Sequence, residues 1–265
     1  MPLLILRTRA PPAPAADLRQ HRNAEHSQLG VDYRGSITDR QEGRTRAMLN
    51  DDLGDGFGVF LQAACSRMLG VTKGAVYICM SSAELHTLQP AFLAAGGHWS
   101  TFLIWAKNAF SLGRADYQRQ DEPILHGWPK VADHFWCGAR DQSDVWFIDR
   151  TRNNDLHPTM KPIALVERAV RNSSKSRDTV LDPFGGSVTT LIACEQSGRK
   201  ARLIELDPRY CDVIIKRSET LVGGTATLAE TGLPFDAVAE GRAADDLDGA
   251  GPDGTEVTSP DDGDV

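Results

Sequence analysis

Thr179-Val-Leu-Asp182-Pro-Phe-Gly-Gly186-Ser-Val-Thr-Thr190 is the stretch that decides the fold. Thr179-Val-Leu181 reads as the end of a buried strand, and Leu191-Ile-Ala-Cys194 as the apolar face of a helix. Between them, glycines let backbone approach a ligand closely, and the helix start offers N–H groups with no partner inside the helix. Downstream, Ala201-Arg-Leu-Ile-Glu205 reads as a second strand ending in an acid. A carboxylate so placed can accept hydrogen bonds from both ribose hydroxyls of an adenosine-containing cofactor. A glycine-rich turn alone is often just a tight turn. Turn, helix, strand and terminal acid in this order favour a nucleoside cofactor.

Outward from this core the alternation continues. From Gly56 to Leu69 the residues Phe57, Phe60, Leu61, Ala64, Cys65 and Met68 recur at helical spacing. Gly74 to Cys79 is a short apolar strand. Ser81 or Ser82 can cap the next helix, with Leu85, Leu88, Phe92 and Leu93 inward and Gly96-Gly97 ending it. Trp99 to Trp105 and Glu122 to Trp128 are further strands; Pro123 places the latter at a sheet edge or marks its beginning. Pro162 opens a helix at its first position, with Ile163, Val166, Ala169 and Val170 inward. After Asp207-Pro208 a helix carries Tyr210, Val213, Ile214 and Arg217, and Ala226-Thr-Leu228 reads as a short edge strand. This is the α/β alternation of a doubly wound sheet. Between Trp128 and Asn154 it breaks, as Trp128, Trp136 and Trp146 mix with Lys130, Arg140, Arg150 and Arg152.

The 265 residues suit one domain with tails. A net charge of −7 is unevenly spread: ten acids and one arginine give −9 between Asp236 and Val265, leaving +2 on residues 1–235. That Asp-, Gly- and Pro-rich tail is expected to be disordered and solvated. Residues 1–29, with Ala10-Pro-Pro-Ala-Pro14 and a polar run from Arg19 to Gln28, are expected to be largely irregular. The five cysteines form no Cys-x-x-Cys, which argues against zinc and a disulfide framework. No apolar run is long enough to span a bilayer, and Pro2-Leu-Leu-Ile-Leu6 is too short for a signal-peptide core, so a cytoplasmic protein is expected.

His157-Pro-Thr-Met-Lys161-Pro162, a helix, then Leu181-Asp-Pro-Phe-Gly-Gly-Ser187 resembles the amino-group DNA methyltransferases of the permuted beta order. The resemblance runs from about Gly30 to about Ala229. It implies a Rossmann-like sheet in circularly permuted order, the catalytic half preceding the cofactor half, with an insertion for DNA recognition. The implied domain is 30–235, divided into a catalytic half (30–127), the insertion (128–156) and a cofactor half (157–235). It implies S-adenosylmethionine as cofactor and the exocyclic amine of a base in double-stranded DNA as acceptor, adenine N6 ahead of cytosine N4. Asp182, Phe184, Gly185, Gly186 and Ser187 would form the turn beside the methionine moiety, Glu205 would take the ribose, and Thr159 and Lys161 would belong to the segment over the methionine end. Lys107, Arg140, Arg150 and Arg152 are the candidate DNA contacts. A cognate restriction nuclease or a second copy of the chain is the expected partner.

Two departures stand out. The family turn is Phe-x-Gly-x-Gly, and its second glycine is Val188 here. If that position needs positive φ, a β-branched residue costs roughly 1–2 kcal/mol, and Val188→Gly is expected to tighten cofactor binding. The family's Asp-Pro-Pro-Tyr loop, which receives the target amine and stacks on the base, occurs nowhere in the chain. Gly30-Val-Asp-Tyr-Arg-Gly35 resembles only the segment following it, which leaves Asp32 and Tyr33 as the nearest catalytic candidates. The strand that feeds the loop, beside the strand ending at Asp182, also looks missing. Arg19 to Gln28 is too polar to be that strand, and Pro2 to Leu6 would need a connection of more than twenty residues, unexpected in a compact domain. A relative that binds cofactor or DNA without turnover, or a methyltransferase acting on RNA or protein, stays open.

Overall fold

The computed structural model describes residues 4–8, 53–150, 160–186 and 188–240. Among them, seven strands form one sheet: β1 (Leu4–Thr8), β2 (Thr72–Cys79), β3 (Gly97–Ser111), β4 (Arg119–Pro129), β5 (Val145–Phe147), β6 (Thr179–Asp182) and β7 (Lys200–Leu203). Their order is β5-β3-β4-β2-β1-β6-β7. Strands β5 and β3 are parallel, as are β6 and β7, whereas β4 is antiparallel to β3 and β2, and β1 is antiparallel to β2 and β6. Five strands therefore point one way, and only β1 and β4 run against them. The edge where the five end is the C-terminal edge, where ligands of open α/β sheets bind.

The helices are α1 (Phe57–Val71), α2 (Leu85–Ala94), α3 (Ile163–Ser173), α4 (Thr189–Gln196) and α5 (Pro208–Val222). Strand periodicity sorts side chains between two cores. Ala75, Tyr77 and Cys79 of β2 and Val180 of β6 join Leu165, Val166, Ala169 and Val170 of α3 and Ala193 and Cys194 of α4. Val76 and Ile78 turn the other way, onto Leu61, Cys65, Met68 and Leu69 of α1 and Leu88 and Phe92 of α2, with Leu181 of β6 packed alongside. Helices thus cover both faces, as the alternation requires.

Local chemistry explains the boundaries. Ser81 caps a short 3₁₀ turn ahead of α2, its side chain accepting from the Ala83 N–H. Gly96 (φ +90°) ends the segment, and a Cβ on Gly97 would lie 2.3 Å from the Phe92 ring. Leu93, expected inward, is instead 40% exposed. Pro162 is the N-cap rather than the first helical residue of α3. Pro123 sits in an interior strand, not at an edge. Its carbonyl accepts from Met80, one residue past the end of β2, so its missing N–H faces the space beyond that strand.

The largest correction concerns the N-terminus. Leu4–Thr8 does fill the slot between β2 and β6, but in reverse: Leu4 pairs with Ile78, Thr8 with Thr72, and Leu6 with Leu181.

A second compact unit begins at Gly223. Thr227 makes an isolated antiparallel bridge with Pro234, which replaces the edge strand expected over Ala226–Leu228, and residues 235–240 are helical. The first residues of the acidic stretch, Asp236 to Glu240, therefore lie in a helix; its remainder, like 9–52, lies outside the described residues.

Candidate active site

The turn after β6 is held by side chains on either flank. Asp182, fully buried, accepts the Phe184 N–H on Oδ1 (3.0 Å) and the Thr190 hydroxyl on Oδ2 (2.5 Å), bracing the turn against α4. Gly185 N–H donates to the Ile204 carbonyl at 2.9 Å, and a Cβ there would come within 3.0 Å of Ile214 and 3.3 Å of Leu203. A larger residue there would require these side-chain ends to give by a few tenths of an ångström. Gly186 has φ +52° and donates its N–H to Glu205 Oε2 at 2.8 Å.

Glu205 also accepts the Leu206 and Asp207 N–H groups on Oε1, at 2.8 and 3.0 Å. Three backbone donors thus converge on one carboxylate. Each carboxylate oxygen has two lone-pair sites, so among the described residues Oε1 is saturated and Oε2 keeps one. The carboxylate can take one ribose hydroxyl without releasing a donor, not the two that its position after a strand suggests.

Val188 adopts the left-handed conformation, φ 68° and ψ 8°, and caps α4 while fully buried. The conditional expectation is met: this position does need positive φ, and valine pays the strain.

Across the C-terminal edge, the segment before α3 brings Lys161 to β4. Lys161 Nζ lies 2.7 Å from Glu122 Oε1, and Lys107 Nζ 3.3 Å from Glu122 Oε2. Burial pushes the Glu122 pKa up, but the two ammonium groups outweigh it and hold the carboxyl below its ordinary value. Thr189 Oγ1 donates to the Lys161 carbonyl at 3.1 Å, linking this segment to the end of the glycine turn. Lys107 also lies over the Trp105 ring at 4.8 Å.

The candidate DNA contacts separate. Lys107 is engaged by Glu122 and Trp105. Arg150, whose backbone N–H donates to Asn108 Oδ1 at 3.3 Å, follows β5 on the C-terminal side. Arg140 lies in the loop leaving β4, which packs on the far end of α3 through Cys137 N–H to the Asn172 carbonyl (2.8 Å). It therefore sits at the opposite end of the sheet. Arg152, Thr159, Ser187, Asp32 and Tyr33 lie outside the described residues.

Sequence reading missed two features. Glu122 is the common partner of Lys107 and Lys161, though nothing in their spacing pairs them. The β3–β4 hairpin also runs on past β2: β2 ends opposite Ile124, while pairing continues to Ser111 and Arg119. It carries Phe110 (53% exposed) and Tyr117 (91% exposed), and Arg119 Nη1 donates to Ser81 Oγ at 2.6 Å.

Comparison with known proteins gives a consistent picture. A family model described as DNA methylase, of the N6/N4 methyltransferases, matches residues 72–217, over half of the chain. The DNA adenine methyltransferase YhdJ of Escherichia coli is 36% identical over 115 residues, covering 43% of this chain and 37% of that protein. The type II methyltransferase M2.LlaDCHI of Lactococcus lactis is 35% identical over 170 residues, 57% of this chain and 62% of its own length. The chain thus spans less than two thirds of these relatives. The solved structure of an M1.HpyAVI–SAM complex superposes with a TM-score of 0.53 at 25% identity, covering 59% of this chain and 82% of that one.

Proposed function

From the premise that the chain belongs to the N6/N4 DNA methylase family, we propose that it holds S-adenosylmethionine at the Asp182–Val188 turn and presents it to an exocyclic amine in DNA, adenine N6 ahead of cytosine N4. The observation carrying this reading is the Glu205–Gly186 bond, which fixes a glycine turn against the carboxylate expected to take the ribose. The residues present fit the cofactor: close-packed Gly185, positive-φ Gly186, and one unspent acceptor position on Glu205. S-adenosylmethionine, when bound, supplies an electrophilic methyl group on sulfur. Glu205 orients the ribose, Phe184 lends an apolar wall, and Lys161, paired with Glu122, offers N–H donors toward the methionine end with part of its charge offset by the carboxylate.

On the DNA side, the overhanging hairpin supports the reading. Its exposed rings and Arg119 stand at the same edge as the turn, where a base taken out of the stack would have to arrive. Arg150 belongs to this contact set and Arg140 does not. A cognate nuclease, a second copy of the chain and a cytoplasmic location are parts of the same proposal. No described helix is long and apolar enough to cross a membrane.

One observation favours a second reading, a relative that binds cofactor without turnover. Because β1 runs in reverse, the chain leaving it at Thr8 starts from the end of the sheet away from the turn. In the family the strand in this slot feeds the catalytic loop directly, whereas here it ends at Thr8, opposite Thr72 at the start of β2. Tritium transfer from labelled S-adenosylmethionine to mixed-sequence duplex DNA separates the two: incorporation above background supports the methyltransferase, and cofactor binding with no incorporation supports the relative without turnover.

A further inference from the structure

At the end of the sheet away from the glycine turn, the first residues of β3, the last of β4 and the loop over 130–144 enclose a cleft of about 700 Å³. Its walls include the His126, His134 and Trp136 rings, with Arg140 and Asp144 also lining it. A second ring stack leads to it, since His134 lies 4.1 Å from Trp128, itself 4.5 Å from His98. His126 is 7% exposed, and its Nε2 has no hydrogen-bond partner among the described residues. Its ring is 4.8 Å from Tyr77, whose hydroxyl is already paired with Ser173 Oγ at 2.6 Å, and 6.4 Å from Trp136.

We propose that this cleft is a second ligand site, for a nucleotide whose base enters among the His134 and Trp136 rings, with its phosphate at Arg140. A planar heteroaromatic ligand suits the site for three reasons. Rings line the walls, and stacking on them tolerates any base. Thr101 and Ser143 also line the cleft, and their hydroxyls suit a ligand with a polar edge, which an aliphatic one lacks. At the mouth stands an exposed arginine that forms no ion pair with a described residue, which suits an anion. The volume falls in the range that holds a ligand of this size. Strand direction separates this cleft from the cofactor turn: Ser100 and Thr101 lie at the start of β3, while the turn lies at the end of β6, which runs the same way. Free mononucleotide and a nucleotide within a single-stranded DNA present the same chemistry here.

The test titrates the full chain with deoxyadenosine monophosphate and, separately, with a short single-stranded oligodeoxyadenylate, each with and without saturating S-adenosylhomocysteine. Saturable binding that persists with S-adenosylhomocysteine, and weakens about tenfold in Trp136→Leu and several-fold in Arg140→Gln, supports the site. Binding of the monophosphate identifies free nucleotide as the source; binding of the oligomer alone identifies a DNA strand. Circular dichroism and S-adenosylhomocysteine affinity confirm that each variant folds. Two results overturn the proposal: no saturable binding of either probe to the folded chain, or binding that S-adenosylhomocysteine abolishes and Glu205→Ala weakens, which places the nucleotide in the glycine turn.

Discussion

Glu205 Oε2 accepts the Gly186 N–H at 2.8 Å, so the acid that follows β7 and the glycine turn that follows β6 are one structure. The carboxylate acts before any ligand arrives, as the clamp of the turn. Removing it costs binding twice, through the lost ribose acceptor and through a turn no longer held. Glu205→Ala is expected to weaken S-adenosylmethionine by roughly 1.5–3 kcal/mol, the range for hydrogen bonds to a charged group. Glu205→Gln keeps one acceptor oxygen and is expected to fall between. Calorimetric titration of the two variants checks the order, and equal affinities across the series would move the ribose elsewhere.

Val188 makes an unusual prediction about stability. Its left-handed backbone costs a β-branched residue about 1–2 kcal/mol, and its side chain is wholly buried. Truncation to alanine loses apolar contact while keeping positive φ on a residue with a Cβ. Glycine loses slightly more contact but sheds the strain. Val188→Gly is therefore expected to be more stable than Val188→Ala by about 1 kcal/mol, seen as a higher urea midpoint. The opposite order would mean that the position relaxes out of the left-handed region.

Glu122 balances two lysines in a site that is mostly buried. Glu122→Gln leaves both ammonium groups without their counter-charge, and truncating one partner of such a pair costs about 3 kcal/mol or more. Loss of cofactor affinity should accompany it, because Lys161 loses its anchor. Glu122→Gln with unchanged stability and affinity would show that neither lysine depends on it.

Acid should destabilise the chain in two separable steps. Burial, with the nearby His134 charge, lowers the His126 pKa from 6.5 to about 4. The unfolded chain then binds the extra proton between those values, so stability falls as pH drops from about 6.5 toward 4, by up to roughly 3 kcal/mol. Glu122 acts lower, since its pKa is depressed: its stabilisation is present above its ordinary value of 4.5 and is lost as pH falls through the folded value. His126→Phe is expected to flatten the upper step alone in pH-dependent urea unfolding. An unchanged upper step would assign it to another group.

How far the sequence can be read follows from how local each feature is. The turn, α4, β7 and Glu205 were legible because each depends on residues within about twenty positions of Asp182. The helices were legible from apolar spacing, Leu93 excepted. Reversal of β1 was not, because a short strand carries no mark of its direction and only its partners choose one. Lys107 and Glu122 meet through sheet register, and Lys161 joins them from the segment before α3, none of which spacing reveals. Arg140 and Arg150, only ten residues apart, part because the chain between them crosses the sheet from one end toward the other. The unpaired nitrogen of His126 depends on packing from three elements and leaves no mark in the sequence.

The most direct test is calorimetric titration of the full chain with S-adenosylmethionine. The turn and Glu205 predict saturable binding of one equivalent, weakened in Glu205→Ala. A folded chain that takes up no S-adenosylmethionine, or whose affinity ignores Glu205, would contradict the assignment of the cofactor to this turn.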